Sequence, residues 1–239
     1  GASITNIYAA AESAHMKGHI RDNFDASIVS YEEYETHTGR FRELAVRLYD
    51  AMADRTAEPI GTILDAGAGS GISARAFAEH GATPVALDLS GQMLRECSVP
   101  DRVQGDFDHL PFRSETFDAV AFTASLFLTP DPERAVEEAR RVLRAGGAVG
   151  AVAPLGWQTT TGEDVFATLD RDSRSPTDVD DIEAALSQEF DLETGTWTFE
   201  ATGETLRLFH SIPAIAARLY PRLDTESRVE RAQQLLADV

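Results

Sequence analysis

Apolar residues recur at two different periods along the chain, and the change from one to the other falls near residue 57. In the first 56 residues they return every three or four positions, as on one face of an amphipathic helix. The clearest run comprises Phe41, Leu44, Ala45, Leu48, Tyr49 and Met52. Glu58-Pro59 then interrupts the pattern. We therefore predict an N-terminal helical lid over residues 1–56.

From residue 61 onward, short apolar runs alternate with helical segments. The predicted strands are Thr62–Ala66, Pro84–Leu87, Arg102–Gly105, Phe117–Thr123 and Ala148–Pro154. The predicted helices are Ile72–His80, Gln92–Glu96 and Pro132–Leu143, the last ending at Gly146-Gly147. Such alternation indicates βαβ units with right-handed crossovers. We expect an α/β fold with a doubly wound, mostly parallel sheet, whose core spans residues 57–155.

Residues 156–239 follow a looser pattern that predicts a remaining core helix and strand and then a helical cap. The expected elements are a short helix around Val165–Leu169, a helix at Asp178–Glu189 and a strand at Asp191–Thr202. Two more helical segments follow, at Thr205–Tyr220, where Pro213 interrupts the helix, and at Asp224–Asp238. Together with the lid and the core, this segment would complete a single structural domain.

Glycines follow the first predicted strand, in the run ILDAGAGSGISA. Glycines at such a turn let the chain turn tightly and let a ligand approach the backbone at the carboxyl ends of the strands. A dinucleotide fingerprint needs glycine at the first, third and sixth positions, but the sixth residue counted from Gly67 is Ile72. A phosphate-binding loop of the nucleoside triphosphatase type is also excluded, because no Gly-Lys-Ser/Thr follows these glycines. What remains is Asp65 followed by Gly67, Gly69 and Gly71.

An acidic residue also directly follows each of the next two predicted strands. Asp88, in VALDLSGQML, lies 21 residues beyond Gly67, and a carboxylate there can accept hydrogen bonds from both hydroxyls of a ribose. Asp88 could instead cap the next helix, a role for which Ser90 is an equally good candidate. Asp106, in GDFDHLPF, follows the third strand, and we expect the nearby Asp108 to be solvated.

With these motifs at these intervals, the chain resembles the S-adenosylmethionine-dependent methyltransferases with a Rossmann-like fold. It is most similar to their small-molecule "type 11" branch, which includes methyltransferases of quinone and biotin biosynthesis. The resemblance covers about residues 24–155 and implies S-adenosylmethionine as cofactor and S-adenosylhomocysteine as product.

The resemblance also implies which residues bind the cofactor. Asp88 would hold the ribose, with Leu89 and Met93 near the adenine. Asp106 would accept the adenine amino group, and the backbone N–H of Phe107 would reach the ring. The full implied set is Asp65, Gly67, Ala68, Gly69, Gly71, Asp88, Leu89, Met93, Asp106, Phe107, Thr123, Tyr31 and Arg40.

The segment FDASIVSYEEYETHTGRF resembles the lid of the same branch. Tyr31 corresponds to a tyrosine that contacts the cofactor, and Arg40 could pair with the cofactor's carboxylate. A solvated helix is the alternative for this segment. No catalytic base follows from the motifs, because Leu126 and Phe127 stand after the fourth strand, where related enzymes often carry a histidine. The catalytic residue stays unknown, and the candidates are His37, His210 and Tyr31.

The chain is strongly acidic, with 40 Asp plus Glu against 21 Lys plus Arg and a formal net charge of −19. Without a local basic patch, such a charge repels a phosphate backbone, so we expect no nucleic-acid partner. Lys17 is the only lysine. An acidic, lysine-poor surface suits concentrated salt, although a GC-rich genome that codes arginine over lysine would give the same composition.

The single cysteine, Cys97, excludes an intramolecular disulfide and a cysteine-cluster zinc site, and we expect no metal. No run approaches the roughly 18 apolar residues needed to span a bilayer, and no signal-peptide pattern is present. We therefore expect a cytoplasmic protein with no stable membrane anchor.

These observations favour methyl transfer to a small-molecule acceptor, and we expect the lid and the helices after residue 155 to form the acceptor pocket. The later segment is apolar enough for a quinone-like or acyl acceptor, or its residues simply pack on the sheet: Phe199, Phe209, Ile212, Ile215, Leu219 and Tyr220. The alternatives are an NAD(P)-dependent oxidoreductase, disfavoured by Ile72 and by the absence of a Tyr-x-x-x-Lys pair, and a non-catalytic protein of the same fold. The oligomeric state, monomer or homodimer, stays open.

Overall fold

A parallel sheet forms the centre of the molecule. The computed structural model describes residues 4–167, 178–220 and 222–239, and within them the sheet has five strands, all parallel. The strands are β1 Thr62–Ala66, β2 Thr83–Asp88, β3 Arg102–Gln104, β4 Phe117–Thr123 and β5 Leu143–Val152. Their order, β3-β2-β1-β4-β5, reverses between β1 and β4. This confirms the doubly wound α/β fold and places the switch point, where ligands of such sheets bind, at the carboxyl end of β1.

Helices precede, connect and follow the strands. Before the sheet come α1 Ile4–Asp25, α2 Ile28–Thr38 and α3 Arg40–Ala53, which confirms the helical character predicted for this part of the chain. The connecting helices are α4 Ile72–Glu79, α5 Gly91–Glu96, a 3-10 helix Leu126–Leu128 and α6 Pro132–Val142. After the sheet come α7 Val179–Glu189, α8 Gly203–Phe209, α9 Pro213–Leu219 and α10 Thr225–Leu235. None of the described helices is both long and apolar enough to cross a membrane.

One predicted element is wrong. Residues 191–202 form no strand, and their aromatic residues Trp197 and Phe199 are exposed. The interruption predicted at Pro213 within Thr205–Tyr220 is confirmed, because Ile212 is extended and Pro213 starts a new helix. The short helix expected around Val165–Leu169 shows turns as far as residue 167, and its remainder lies outside the described residues.

The junction of α6 and β5 also differs from the prediction. The helix ends at Val142, and the strand begins at once, at Leu143 rather than at Ala148. The register shifts here, because Phe117 pairs with Leu143 whereas Ala119 pairs with Ala148. Gly146 (φ +79°) lies within this irregular stretch. Gly146 and Gly147 therefore belong to a bulged start of the strand and do not end the helix.

The lid helices and the last helices pack on each other beside the sheet. Buried Tyr34 of α2 lies in one apolar cluster with Ile212 and Ile215, and the ring of Phe209 lies 5.1 Å from that of Tyr34. A polar contact joins the same parts, since the backbone N–H of Ala214 donates to Ser27 Oγ over 2.9 Å. The two ends of the chain therefore come together at the carboxyl edge of the sheet.

Candidate active site

A pocket of about 980 Å³, its open mouth included, lies at the carboxyl ends of β1, β2 and β4. The lid contributes Lys17, Ile20, Arg21, Phe24, Tyr31 and Phe41 to its wall. The strand ends, and the loops and helix starts that follow them, contribute Gly67, Ala68, Gly69, Ser70, Ile72, Ser73, Asp88, Leu89, Met93, Asp106, Phe107, Thr123, Ala124, Ser125, Leu128 and Thr129.

The glycines after β1 serve two different purposes. Gly67 (φ +83°) and Gly71 (φ +92°) fit tightly against neighbours, because a Cβ at Gly67 would lie 2.5 Å from Ser125 Cβ and one at Gly71 would overlap Cys97 Sγ. Gly69 (φ +56°) lines the pocket, and no described atom lies within 4 Å of the position its Cβ would take. Gly69 therefore leaves open space on the side from which a ligand approaches, whereas Gly71 does not line the pocket.

Asp88 joins the end of β2 to the glycine loop. One carboxylate oxygen accepts from the backbone N–H of Gly69 and the other from that of Ser90, each over 2.8 Å. Burial raises the pKa of Asp88, and these two hydrogen bonds oppose that rise. Ser90 is the residue that caps α5, because its hydroxyl accepts from the N–H of Met93 over 3.1 Å. Asp88 lines the pocket and keeps acceptor lone pairs for a ligand.

Two polar side chains near the glycine loop have atoms without a partner. Asp65 is fully buried beneath the loop, where Ser73 donates to one carboxylate oxygen. Its other oxygen, Oδ1, has no hydrogen-bond partner among the described residues, and burial raises the pKa of Asp65 to about 7. Thr123 Oγ1, at the end of β4, is also buried without a partner in the described structure. Because Thr123 lines the pocket, its hydroxyl is available to a ligand.

Lys17 of α1 reaches across the pocket to the loop after β3. Its Nζ lies 2.5 Å from a carboxylate oxygen of Asp106 and 2.5 Å from one of Asp108. Burial alone would lower the pKa of Lys17, but the hydrogen bonds to these two carboxylates raise it. The expectation that Asp108 is solvated is wrong, since Asp108 is 3% exposed and also accepts from Thr129 Oγ1.

Helix α6 holds the loop that carries Asp106. Buried Glu138 accepts from the backbone N–H of Leu110 over 2.8 Å. Arg141 pairs with Glu138 and donates to the carbonyl oxygens of Leu110 and Phe112. The Glu138–Arg141 ion pair thus holds the loop after β3, which forms part of the pocket wall, against α6.

Comparison with known proteins identifies the core that carries this pocket. The methyltransferase-domain family matches residues 64–150, which run from within β1 into β5. The chain carries a methyltransferase domain. The glycine loop, Asp88, Asp106 and Thr123 all fall within the matched residues.

Curated relatives agree with the methyltransferase domain. A demethylmenaquinone methyltransferase of Clavibacter sepedonicus is 31% identical over 148 residues, covering 58% of this chain and 59% of the relative. A malonyl-[acyl-carrier protein] O-methyltransferase of Enterobacter lignolyticus is 36% identical over 116 residues, covering 46% of each chain. An uncharacterized chloroplastic methyltransferase of Arabidopsis thaliana is 38% identical over 113 residues, covering 40% of this chain and 32% of the relative. The chain thus spans between about a third and three fifths of the length of these relatives.

Two solved structures share the fold. A SAM-dependent methyltransferase of Thermotoga maritima matches with a TM-score of 0.51 and 18% identity, covering 70% of this chain and 79% of that one. The [4+2]-cyclase SpnF matches with a TM-score of 0.50 and 22% identity, covering 80% of this chain and 73% of that one. The second is named for a cyclisation, so the fold alone does not decide the reaction.

Besides Asp65 and Gly71, three residues assigned to the site of the methyltransferase domain do not line the pocket. The guanidinium of Arg40 donates to Glu43 and to the carbonyl of Glu200 and stacks 4.6 Å from the Phe199 ring, so it does not line the pocket. His37 is exposed on α2, where its Nδ1 lies 2.8 Å from the carbonyl oxygen of Glu33. His210 is buried at the end of α8, and burial lowers its pKa to about 4.

Tyr31 is the one of the three candidate bases that lines the pocket. Its ring lies between those of Phe24 and Phe41, at centroid distances of 6.0 and 5.1 Å. Burial raises the pKa of Tyr31 to about 12, so the phenol is neutral at physiological pH. Tyr31 can therefore donate or accept a hydrogen bond, but it is a poor proton acceptor.

The described residues after 155 do not line the pocket of the methyltransferase domain, contrary to the expectation for the acceptor site. Ile212 and Ile215 are buried in the cluster that supports Tyr31 and Phe41 from behind. Phe209 belongs to the same supporting layer, with its ring 6.5 Å from that of Phe41. These residues shape the aromatic wall of the pocket indirectly, because the lid stands between them and the strand ends.

Proposed function

We propose that the protein is an S-adenosylmethionine-dependent methyltransferase that acts on a small molecule with an apolar body. The observation that carries this proposal is the position of Asp88, at the end of β2 beside the pocket-lining glycine loop of a methyltransferase domain. A carboxylate there suits the two hydroxyls of a ribose.

The residues of the pocket fit the cofactor from end to end. Asp106 and the backbone N–H of Phe107 would hold the adenine, and Leu89 and Met93 would pack around it. The loop at residues 67–69 and the unpartnered hydroxyl of Thr123 would hold the amino-acid end. When bound, S-adenosylmethionine supplies a sulfonium methyl group, which passes to an acceptor lone pair as the carbon–sulfur bond breaks and leaves S-adenosylhomocysteine.

The protein's own contribution is to bind, orient and exclude water. Lys17 holds α1 over the pocket, while Phe24, Tyr31 and Phe41 give the lid side an aromatic wall. Orientation of two reactants can contribute roughly 7–11 kcal/mol to lowering a barrier. The neutral Tyr31 hydroxyl can orient an acceptor by a hydrogen bond. An acceptor that loses its proton readily then needs no protein base.

The apolar lid wall supports a quinone-like or acyl acceptor. Phe24, Tyr31 and Phe41 offer flat apolar surface on the lid side of the pocket. Two of the relatives are named for demethylmenaquinone and for malonyl-[acyl-carrier protein], which points in the same direction. The net charge of −19 favours such small acceptors over duplex nucleic acid.

The proposal is tested by titrating two matched variants with S-adenosylmethionine in a calorimeter. Asp88→Asn keeps the shape of the side chain and removes its charge, and we expect affinity to fall about 10- to 100-fold. Asp50→Asn, on the exposed face of α3, should bind like the wild type. Unchanged affinity in a folded Asp88→Asn variant, verified by thermal unfolding, would remove the basis of the proposal.

A further inference from the structure

One ammonium group and two carboxylates meet in the wall of the pocket. Lys17 Nζ lies 2.5 Å from Asp106 Oδ2 and 2.5 Å from Asp108 Oδ2. Lys17 and Asp106 line the pocket, whereas Asp108 is buried outside the lining. Because two carboxylates share one counter-ion here, the ammonium group is what offsets their mutual repulsion.

The Asp106 carboxylate is held in one orientation through both of its oxygens. Oδ2 accepts from Lys17, and Oδ1 accepts from the backbone N–H of Asp108 over 2.9 Å. A carboxylate offers about four acceptor sites, so these two hydrogen bonds leave others for a ligand. The side chain of Asp106 is 24% exposed and lines the pocket, so its remaining acceptor sites are accessible there.

Asp108 is fixed in its place beside Asp106. Thr129 Oγ1 donates to its carboxylate, at 3.1 and 3.2 Å from the two oxygens, and Arg134 donates to its backbone carbonyl oxygen. Burial raises the pKa of Asp108, and Lys17 opposes that rise. If Lys17 were removed, the repulsion would therefore displace Asp106, which has the open pocket to turn into.

Helix α1 determines where the ammonium group of Lys17 lies. Asp25, at the end of α1, accepts from the hydroxyl of buried Ser90, the residue that caps α5 after β2. Ile20, between these two contacts along α1, lines the pocket. Helix α1 is thus attached to the loops after both β2 and β3, and it keeps Lys17 within reach of Asp106.

We propose that Lys17 is a positioning residue for the purine of the cofactor: by holding the Asp106 carboxylate, it sets the preference of the pocket for a 6-amino purine. This inference rests on the proposed function, in which Asp106 accepts from the adenine amino group. A fixed, ionised carboxylate accepts from an amino group and repels the carbonyl oxygen that replaces it in a 6-oxopurine. A carboxylate that has turned away loses both effects and no longer distinguishes the two purines.

The test compares the affinities of S-adenosylhomocysteine and S-inosylhomocysteine, in which a carbonyl oxygen replaces the 6-amino group. Both ligands are titrated in a calorimeter into the wild type, Lys17→Met, Lys17→Arg and Arg42→Met, each shown to be folded by thermal unfolding. Arg42 is the control, because its ion pair with Glu79 is about half-exposed and lies outside the pocket. We expect the wild type and Arg42→Met to prefer S-adenosylhomocysteine at least 10-fold, and Lys17→Met less than threefold. Lys17→Arg, which keeps the charge, should retain most of the preference.

A double variant separates positioning from a general loss of stability. Asp108→Asn in the Lys17→Met background removes the repulsion together with the ammonium group, and its amide can itself donate to Asp106. We expect this variant to regain at least a threefold part of the preference that Lys17→Met loses.

Two kinds of failure can be told apart. A wild-type preference that persists in folded Lys17→Met, a double variant that regains none of it, or a wild type that binds both ligands equally would overturn this inference alone. A folded wild type that binds neither ligand would contradict the proposed function, and this inference with it.

Discussion

Lys17 Nζ lies 2.5 Å from Asp108 Oδ2, although 91 positions separate the two residues in the chain. The same nitrogen contacts Asp106, so one ammonium group ties helix α1 to the loop after β3. Asp106 is the residue proposed to accept the adenine amino group. A single side chain therefore connects the lid to the end of the pocket where we propose that adenine binds.

Removing this ammonium group should destabilise the protein. Lys17→Met leaves the 3% exposed Asp108 without its cationic partner, and we expect a loss of about 2–4 kcal/mol in the free energy of unfolding. Urea unfolding at neutral pH measures the loss. Arg42→Met is the control, because the Arg42–Glu79 pair is about half-exposed and should contribute less than about 1 kcal/mol. If both substitutions lowered the free energy of unfolding by the same small amount, the contacts of Lys17 would not stabilise the fold more than an exposed ion pair does.

A substitution in the glycine loop after β1 should weaken ligand binding, whereas a matched substitution outside the pocket should affect stability alone. Gly69→Ala forces alanine into a left-handed conformation at a cost of about 1–3 kcal/mol and places a methyl group in the pocket. We expect the affinity for S-adenosylmethionine to fall at least 10-fold. Gly39→Ala is the matched control: it has a similar φ of +62° and open surroundings among the described residues, but it lies between α2 and α3 outside the pocket. It should show the same loss of stability with unchanged affinity.

Gly71→Ala should instead act on the fold. Its Cβ would overlap Cys97 Sγ and approach the Cys97 backbone, in addition to the strain at φ +92°. We expect a larger fall in melting temperature than for Gly69→Ala, as measured by thermal unfolding of the two variants. If Gly71→Ala were as stable as the wild type, the tight packing of this turn would be refuted.

Asp65 and His210 should give opposite pH dependences of stability. The folded-state pKa of Asp65 is about 7 against 3.8, so its stabilising contribution is full below pH 4 and is lost as the pH rises to about 7. The folded-state pKa of His210 is about 4 against 6.5, so its contribution is present above pH 6.5 and is lost as the pH falls to about 4. Between pH 4 and 6.5 the two effects oppose each other.

Single variants should expose each effect. With Asp65→Asn, the free energy of unfolding should rise more steeply with pH across this window than in the wild type, and with His210→Gln less steeply. The change in slope should be at most about 1.4 kcal/mol per pH unit for each residue. Urea titrations at four pH values between 4.5 and 7.5 measure it. Curves parallel to that of the wild type would mean that these groups titrate normally in the folded protein.

The sequence predicted the sheet better than it predicted the walls of the pocket. β1 and β4 have the bounds expected of them, because continuous apolar runs between turn residues identify buried parallel strands. The positions of Asp88 and Asp106 followed equally well, since the carboxyl ends of parallel strands meet at one edge. The strand expected at Asp191–Thr202 failed because strand-forming residues alone do not supply a partner strand.

The contacts that complete the site depend on residues far apart in the chain. Arg40 binds Glu43 and the carbonyl oxygen of Glu200 instead of lining the pocket. Glu200 lies 160 positions further along the chain, and no local pattern indicates that contact. Lys17 was missed for the same reason, although its being the only lysine in an acidic chain was a signal. Asp108 was expected in solvent because its buried partners lie on α1 and beside the 3-10 helix, which the sequence of its own loop does not reveal.

The central claim is that the pocket at the carboxyl ends of β1, β2 and β4 binds S-adenosylmethionine. Calorimetric titration of the wild type with S-adenosylmethionine, S-adenosylhomocysteine and NADH, in dilute and in molar salt, tests it most directly. We predict micromolar binding of the first two and none of NADH. Binding of NADH in preference to S-adenosylmethionine, or binding of none of the three by protein shown to be folded, would contradict the claim.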